Sequence, residues 1–185
     1  ETVLPNSPRI KALICLPFNH HRGSYEIIQE FGDHKDVAGF CVASVRDTAV
    51  HSDDLMKCYS LMEEMGKPLS FHSGTNWSGS HLRHSSRFIA VHSLSFPWYV
   101  MVHVANWVTN GLNERFPNLK VIWAEGGLAW IPFLMQRLDH EYMMRTSEAA
   151  GLKKLPSEYM KDMYYSSQPC EAMHPEQLEH TFELI

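Results

Sequence analysis

The stretch LKVIWAEGGLAW, residues 119–130, shows the pattern that decides the fold. An almost uninterrupted apolar run of strand length, Leu119 to Ala124, leads to Glu125, and two glycines then allow a tight turn into a helix predicted from Ala129 to Met144. A strand that is apolar at successive rather than alternate positions is typical of a parallel sheet covered by helices. The stretch therefore predicts one strand–helix unit of an α/β protein.

The same unit recurs on both sides of this stretch. Buried strands are predicted at Ile10 to Phe18, Val37 to Ser44, Pro68 to His72 and Met163 to Ser167. Helices are predicted at Tyr25 to Phe31, from an N-cap at Ser52 to a C-terminal Gly66, at Pro97 to Asn113, and from Pro175 onward. A polar loop, Ser73 to Ser86, is a candidate lid or substrate loop, and a long helical stretch follows it that is strongly apolar from Pro97. This alternation predicts the α/β class, and a closed barrel and an open doubly wound sheet are both compatible with it.

Composition predicts a single globular domain, residues 1–185, that acts on a small molecule. A chain of 185 residues with 44% hydrophobic residues can bury a sizeable core. Its net charge of -5 and lack of a Lys/Arg cluster argue against binding to nucleic acid or to an anionic membrane. We find no run of about 18 uncharged apolar residues and no signal-peptide pattern, so we expect a soluble cytoplasmic protein.

The cysteines and histidines bear on metal and redox chemistry. The four cysteines are widely spread and form no CxxC pair, which argues against a zinc knuckle, a thioredoxin-like motif and a dense disulfide framework. The 12 histidines favour metal or proton chemistry without identifying which of them takes part.

His72 is the best-placed candidate functional residue. It ends a predicted strand and opens a Ser/Gly-rich loop, where parallel α/β proteins place ligands and catalytic groups. A neutral imidazole there can bind a divalent metal. The alternative is a buried histidine bonded to a backbone carbonyl, and position alone favours neither interpretation.

Glu125 is the second candidate, since it also follows a predicted strand. The carboxylate could be a metal ligand, a general base or a group that orients a partner. The alternative is a capping carboxylate bonded to the amides that follow it. A functional role is slightly favoured, because a carboxylate at the end of a buried strand needs a partner to offset desolvation.

Three blocks in this order and spacing resemble the amidohydrolase-related family of the metal-dependent hydrolase superfamily, which includes aminocarboxymuconate-semialdehyde decarboxylase. The blocks are KPLSFHSG (67–74), GLNERFPNLKVIWAEGGLAWIPFLMQRLD (111–139) and YYSSQPCE (164–171). The resemblance implies a (β/α)8 TIM-type barrel, of which the chain would cover roughly strands three to seven. It also implies one divalent metal ion, Zn or Mn, and hydrolysis or non-oxidative decarboxylation of a small carboxylated or cyclic substrate.

Carried over onto this sequence, the resemblance makes His72 the metal ligand of strand five. Glu125 stands at the strand-six position where the decarboxylases have the histidine of a His-Gly-Gly sequence. A carboxylate can accept a proton, but unlike imidazolium it does not readily donate one at neutral pH, so Glu125 favours hydrolysis mildly. The family's ligands on strands one and eight are expected outside these 185 residues. A non-catalytic partial domain is therefore the competing hypothesis.

Three further residues are weaker candidates for substrate binding. Trp77 could form a pocket wall or belong to the core, and Arg83 could bind a substrate carboxylate or lie on a solvated loop. Gln168 follows the last predicted strand and is expected at the catalytic face. Partners expected are a small-molecule substrate and, as an open alternative, further copies of the chain.

Overall fold

The computed structural model describes residues 7–43, 48–73 and 79–185, and these residues form a five-stranded parallel sheet. The strands are β1 (Ala12–Cys15), β2 (Val37–Val42), β3 (Leu69–His72), β4 (Val121–Ala124) and β5 (Tyr164–Tyr165). Each strand pairs in parallel with the next strand along the chain. Consecutive units of a (β/α) barrel have this order, whereas a doubly wound sheet reverses direction at a switch point. The predicted α/β class and incomplete (β/α)8 barrel are confirmed.

Helices connect the strands near the predicted positions. They are α1 (His21–Phe31), α2 (Met56–Glu64), α3 (Phe88–Thr109), α4 (Leu112–Arg115), α5 (Trp130–Met144), α6 (Pro156–Lys161) and α7 (Pro175–Leu184). Short 3-10 turns lie at Asp53–Leu55, Ser80–Leu82 and Thr146–Ala149. Gly66 follows α2 with a φ of 64°, the left-handed conformation in which glycine commonly ends helices. Ser52 precedes the first of these turns, but its side chain makes no capping hydrogen bond.

The long helical stretch predicted after the loop Ser73 to Ser86 is α3. The helix begins at Phe88 and contains Pro97, from which residue the predicted pattern was strongly apolar. A proline inside a helix removes one backbone hydrogen bond. The first turns are nevertheless held against the protein, because Val91 and Ser95, four residues apart on one helix face, are both fully buried.

α3 is also long and apolar enough to cross a membrane by length and composition. Its 22 residues reach a mean hydropathy of 1.4 in an 18-residue window. The sequence criterion of an uninterrupted apolar run missed it, because histidine, serine and asparagine interrupt the helix. One such helix is weak support for a membrane span, since core helices of soluble proteins have the same properties. Val100, Val104 and Trp107 of α3 belong to the hydrophobic core.

The two faces of the sheet differ in what covers them. One face packs against the helices and contributes Phe40, Val42, Leu69, Phe71, Val121 and Trp123 to the core. Phe71 stacks on Trp123 with ring centroids 4.8 Å apart. On the other face Leu13 is 48% exposed and Tyr164 is 51% exposed. The described part of the chain therefore resembles a barrel wall, with helices outside and an open inner face.

Candidate active site

The carboxyl ends of β3 and β4 bring His72 and Glu125 together. His72 is the last residue of β3 and pairs with Ala124, the last residue of β4, so Glu125 follows directly beside it. The His72 Nε2 atom lies 3.2 Å from the Glu125 Oε2 atom. The two side chains are 46% and 40% exposed, so molecules in solution can reach both. A contact this exposed contributes little to stability, and both side chains remain open to a ligand.

The backbone of Glu125 is strained. Among the non-glycine residues that the structure describes, Glu125 alone has a positive φ, of 55°. This left-handed conformation costs an L-residue about 1–2 kcal/mol. The neighbouring strand ends hold the residue in place: its N–H donates to Ser166 Oγ at 2.9 Å, and its carbonyl accepts from Ser73 Oγ at 3.4 Å. Strain of this kind persists only where the surroundings enforce it, and it is common at functional sites.

Glu171 takes the capping role that was the alternative for Glu125. Its Oε2 atom accepts the Leu128 N–H at 3.1 Å, close to the start of α5. Its carboxylate also lies directly against Gly127, which has a φ of 71°, so a Cβ atom at Gly127 would overlap it. The Glu125 carboxylate is thereby left to face His72. The sequence signal for Glu171 was only its place in the block YYSSQPCE after the last strand.

The other predicted site residues are placed less closely. Gln168 is exposed, and its carbonyl accepts the Gly127 N–H at 3.2 Å, which brings its backbone to the turn after Glu125. Arg83 is exposed next to a 3-10 turn and forms no ion pair with a residue that the structure describes. Trp77, with part of the predicted lid loop, lies outside the described residues.

The His72–Glu125 pair fits part of a divalent metal site. Imidazole nitrogen and carboxylate oxygen are both common ligands of Zn, and bonds of about 2.0–2.2 Å in a tetrahedral site place two ligands roughly 3.3 Å apart. The observed 3.2 Å matches this separation. Within residues 7–43, 48–73 and 79–185, however, no three His, Cys, Asp or Glu side chains converge on one point. A catalytic site commonly has three protein ligands, so this pair would supply two of them if Glu125 binds the ion and one if Glu125 serves as the base.

A family model described as amidohydrolase matches residues 1–185. The chain belongs to the amidohydrolase family. The predicted family membership is thus confirmed over the whole sequence, which includes His72 and Glu125. Among curated proteins, none matches this sequence.

Several solved structures are similar to this amidohydrolase. With 5-carboxyvanillate decarboxylase from Sphingomonas paucimobilis the TM-score is 0.82 at 19% identity, over 99% of this chain and 55% of that chain. With a dihydroxybenzoic acid decarboxylase from Polaromonas sp., which holds manganese and the inhibitor 2-nitroresorcinol, the TM-score is 0.78 at 17% identity, over 98% and 57%. With 2,6-dihydroxybenzoate decarboxylase from Rhizobium the TM-score is 0.75 at 17% identity, over 98% and 59%.

These similarities establish the fold, and the amidohydrolase chain spans little more than half the length of the solved proteins. Family membership and the neighbouring decarboxylases agree with the prediction of an enzyme. The manganese in the Polaromonas structure agrees with the prediction of one divalent metal ion, Zn or Mn.

Proposed function

We propose that the protein is a metal-dependent hydrolase that acts on a small carboxylated or cyclic substrate. The observation that carries the proposal is the 3.2 Å approach of His72 Nε2 and Glu125 Oε2 at the carboxyl ends of adjacent parallel strands. Ligands and catalytic groups of parallel α/β barrels are found at this end of the strands. A bound divalent ion would supply a Lewis acid that polarises a carbonyl and lowers the pKa of a water molecule.

In this proposal His72 and Glu125 have different roles. His72 would hold the ion through Nε2, since a neutral imidazole is a good ligand for borderline divalent metals. Glu125 would accept a proton from the attacking water or orient that water, because a carboxylate ionised at neutral pH is a proton acceptor. The strained backbone of Glu125, held by Ser166 and Ser73, supports this role, because strain of this kind is common at functional sites.

Binding of the substrate is assigned to three further residues. Arg83 would bind a substrate carboxylate through its two parallel N–H groups. Gln168 would contact the substrate from the end of β5, and Trp77 would form an apolar wall. A cytoplasmic location and formation of a homo-oligomer belong to the same proposal.

A non-oxidative decarboxylase is the second candidate function. It is supported by the three decarboxylases to which the chain is structurally similar. The argument against it is Glu125, because protonation of the carbanion left by decarboxylation needs a proton donor, and a carboxylate donates poorly at neutral pH unless its pKa is raised. A third candidate is that the 185-residue chain alone is non-catalytic.

Metal analysis tests the first step of the proposal. We expect the purified chain to retain about one equivalent of Zn or Mn and the His72→Ala variant to lose it. His140→Ala is a matched control, because His140 is an exposed histidine on α5, away from β3. Equal metal in the His72→Ala and His140→Ala variants would contradict the assignment of His72, and absence of metal from the wild-type chain would support the non-catalytic candidate.

A substrate panel separates the two reactions. Small lactones and cyclic imides would report hydrolysis by proton release, and carboxylated phenols would report decarboxylation by release of carbon dioxide. We expect turnover of the first group and a strong loss of it in Glu125→Gln. Turnover of the carboxylated phenols alone would establish the decarboxylase, and a metal-loaded chain without turnover of either group would establish the non-catalytic alternative.

A further inference from the structure

Two cysteines face each other across the first two strands. Cys15, the last residue of β1, is the register partner of Cys41 in β2, and both are free thiols. Register partners on adjacent strands project from the same face of a sheet, and the strands are about 4.8 Å apart. Disulfides form between residues whose Cα atoms are roughly 4.4–6.8 Å apart, so this pair needs little backbone movement to be bridged.

The surroundings of the two thiols are unequal. Burial raises the pKa of the Cys41 thiol to about 11, and the charge of Cys15 and a hydrogen bond with it contribute to the increase. Cys41 therefore keeps its proton at neutral pH, and its register partner Cys15 lies beside it. In the described sheet Cys15 is exposed, and Cys41 is half-buried and therefore less accessible. An oxidant in solution will consequently reach Cys15 first.

The other two cysteines are not placed to compete for Cys15. Cys58 is buried in α2, and its S–H donates to the carbonyl of His21. Cys170 follows β5, at the opposite edge of the sheet from β1. Of the four thiols, Cys15 and Cys41 alone are neighbours in the strand register.

We propose that Cys15 and Cys41 are an oxidative modification site that hydrogen peroxide converts into a disulfide between β1 and β2. In the first step the Cys15 thiolate attacks one peroxide oxygen, the O–O bond breaks, and a sulfenic acid forms while the other oxygen leaves as water after protonation. The Cys41 sulfur then loses its proton and attacks the Cys15 sulfur. The S–O bond breaks and a second water leaves. The two thiols lose two electrons and two protons, and the peroxide is reduced to two waters.

The bridge would join β1 covalently to β2, its partner in the described sheet. β1 is an edge strand of the described sheet, and β2 is its only partner there. The segment between the two cysteines contains all of α1. Oxidation would thus lock the β1–α1–β2 unit as a closed loop, and reduction would release it. The site lies on the inner face of the sheet, the face from which His72 also projects.

Stepwise oxidation followed by peptide mass spectrometry tests the proposal. The reduced chain is treated with hydrogen peroxide, unfolded, and alkylated with N-ethylmaleimide. We expect the loss of two hydrogens from the intact mass, the loss of two alkylatable thiols, and one linked peptide that joins Cys15 to Cys41. Dithiothreitol should restore both thiols.

Single-site variants show whether the geometry is responsible. Cys15→Ser and Cys41→Ala should each abolish the linked peptide, while the matched control Cys170→Ser should retain it in full. Oxidation of the urea-unfolded chain should give mixed linkages instead of this one. Formation of a Cys15 sulfinic or sulfonic acid with Cys41 still alkylatable would overturn the proposal, and so would equal linkage of Cys15 to Cys58 or Cys170.

Discussion

Replacing Glu125 by glycine should stabilise the fold relative to alanine at the same position. Both variants lack the carboxylate, so the loss of its contact with His72 cancels between them. Alanine keeps the left-handed strain of about 1–2 kcal/mol that a φ of 55° imposes, whereas glycine does not. Glycine loses more backbone entropy on folding, about 0.5–1 kcal/mol. The balance favours Glu125→Gly over Glu125→Ala by about 1 kcal/mol.

Urea unfolding followed by tryptophan fluorescence measures this difference, since the chain contains five tryptophans. With a denaturant dependence of about 2 kcal/mol/M, 1 kcal/mol moves the midpoint by roughly 0.5 M. We expect the glycine variant to unfold at the higher urea concentration and to be at least as stable as the wild type, although it lacks the proposed base. An equal or lower midpoint than that of the alanine variant, at an unchanged slope, would refute the interpretation of Glu125 as a strained residue.

Two further predictions concern acid stability and the turn after β4. Burial lowers the pKa of His103 to about 4 from an ordinary value of 6.5. Between these pH values the unfolded chain binds a proton that the folded chain excludes, so the free energy of unfolding falls by about 3 kcal/mol as the pH is lowered. Urea unfolding at pH 7, 5.5 and 4 measures this loss. We expect the free energy of unfolding of His103→Leu to fall less over the same pH range than that of the wild type. Gly127→Ala should destabilise the fold by more than about 1 kcal/mol, because the left-handed φ and the Glu171 carboxylate both oppose a Cβ atom. Adding Glu171→Ala removes the second obstacle, so the double variant should lose less stability than the sum of the single variants, and strict additivity would contradict this account.

Much of the architecture could be predicted, because it depends on local pattern. β4 was predicted within two residues, since a buried parallel strand has few polar positions and the glycines after it mark the turn. The helical stretch after Ser86 was predicted, but its strongly apolar pattern was recognised only from Pro97 onward, because polar residues interrupt the first turns. In the structure the burial of Val91 and Ser95 holds these turns against the protein.

The site was only partly predictable, because its contacts depend on strand register. The resemblance assigned His72 and Glu125 to successive strands, but their 3.2 Å separation follows from the pairing of β3 with β4. The Glu171 cap and the contact between Cys15 and Cys41 join residues far apart in the sequence, where no local pattern connects them. Long-range pairing of this kind has no signature in a single sequence.

The agreement between strand order and chain order has a consequence for synthesis on the ribosome. Because each strand pairs with the one before it, a nascent chain can add one strand–helix unit at a time to the units already made. Each addition joins segments that are neighbours in chain order, so no step has to close a loop across several units. A substitution that prevents β2 from pairing would therefore interrupt the addition of all later strands. A substitution that prevents β5 from pairing would leave β1 to β4 able to assemble.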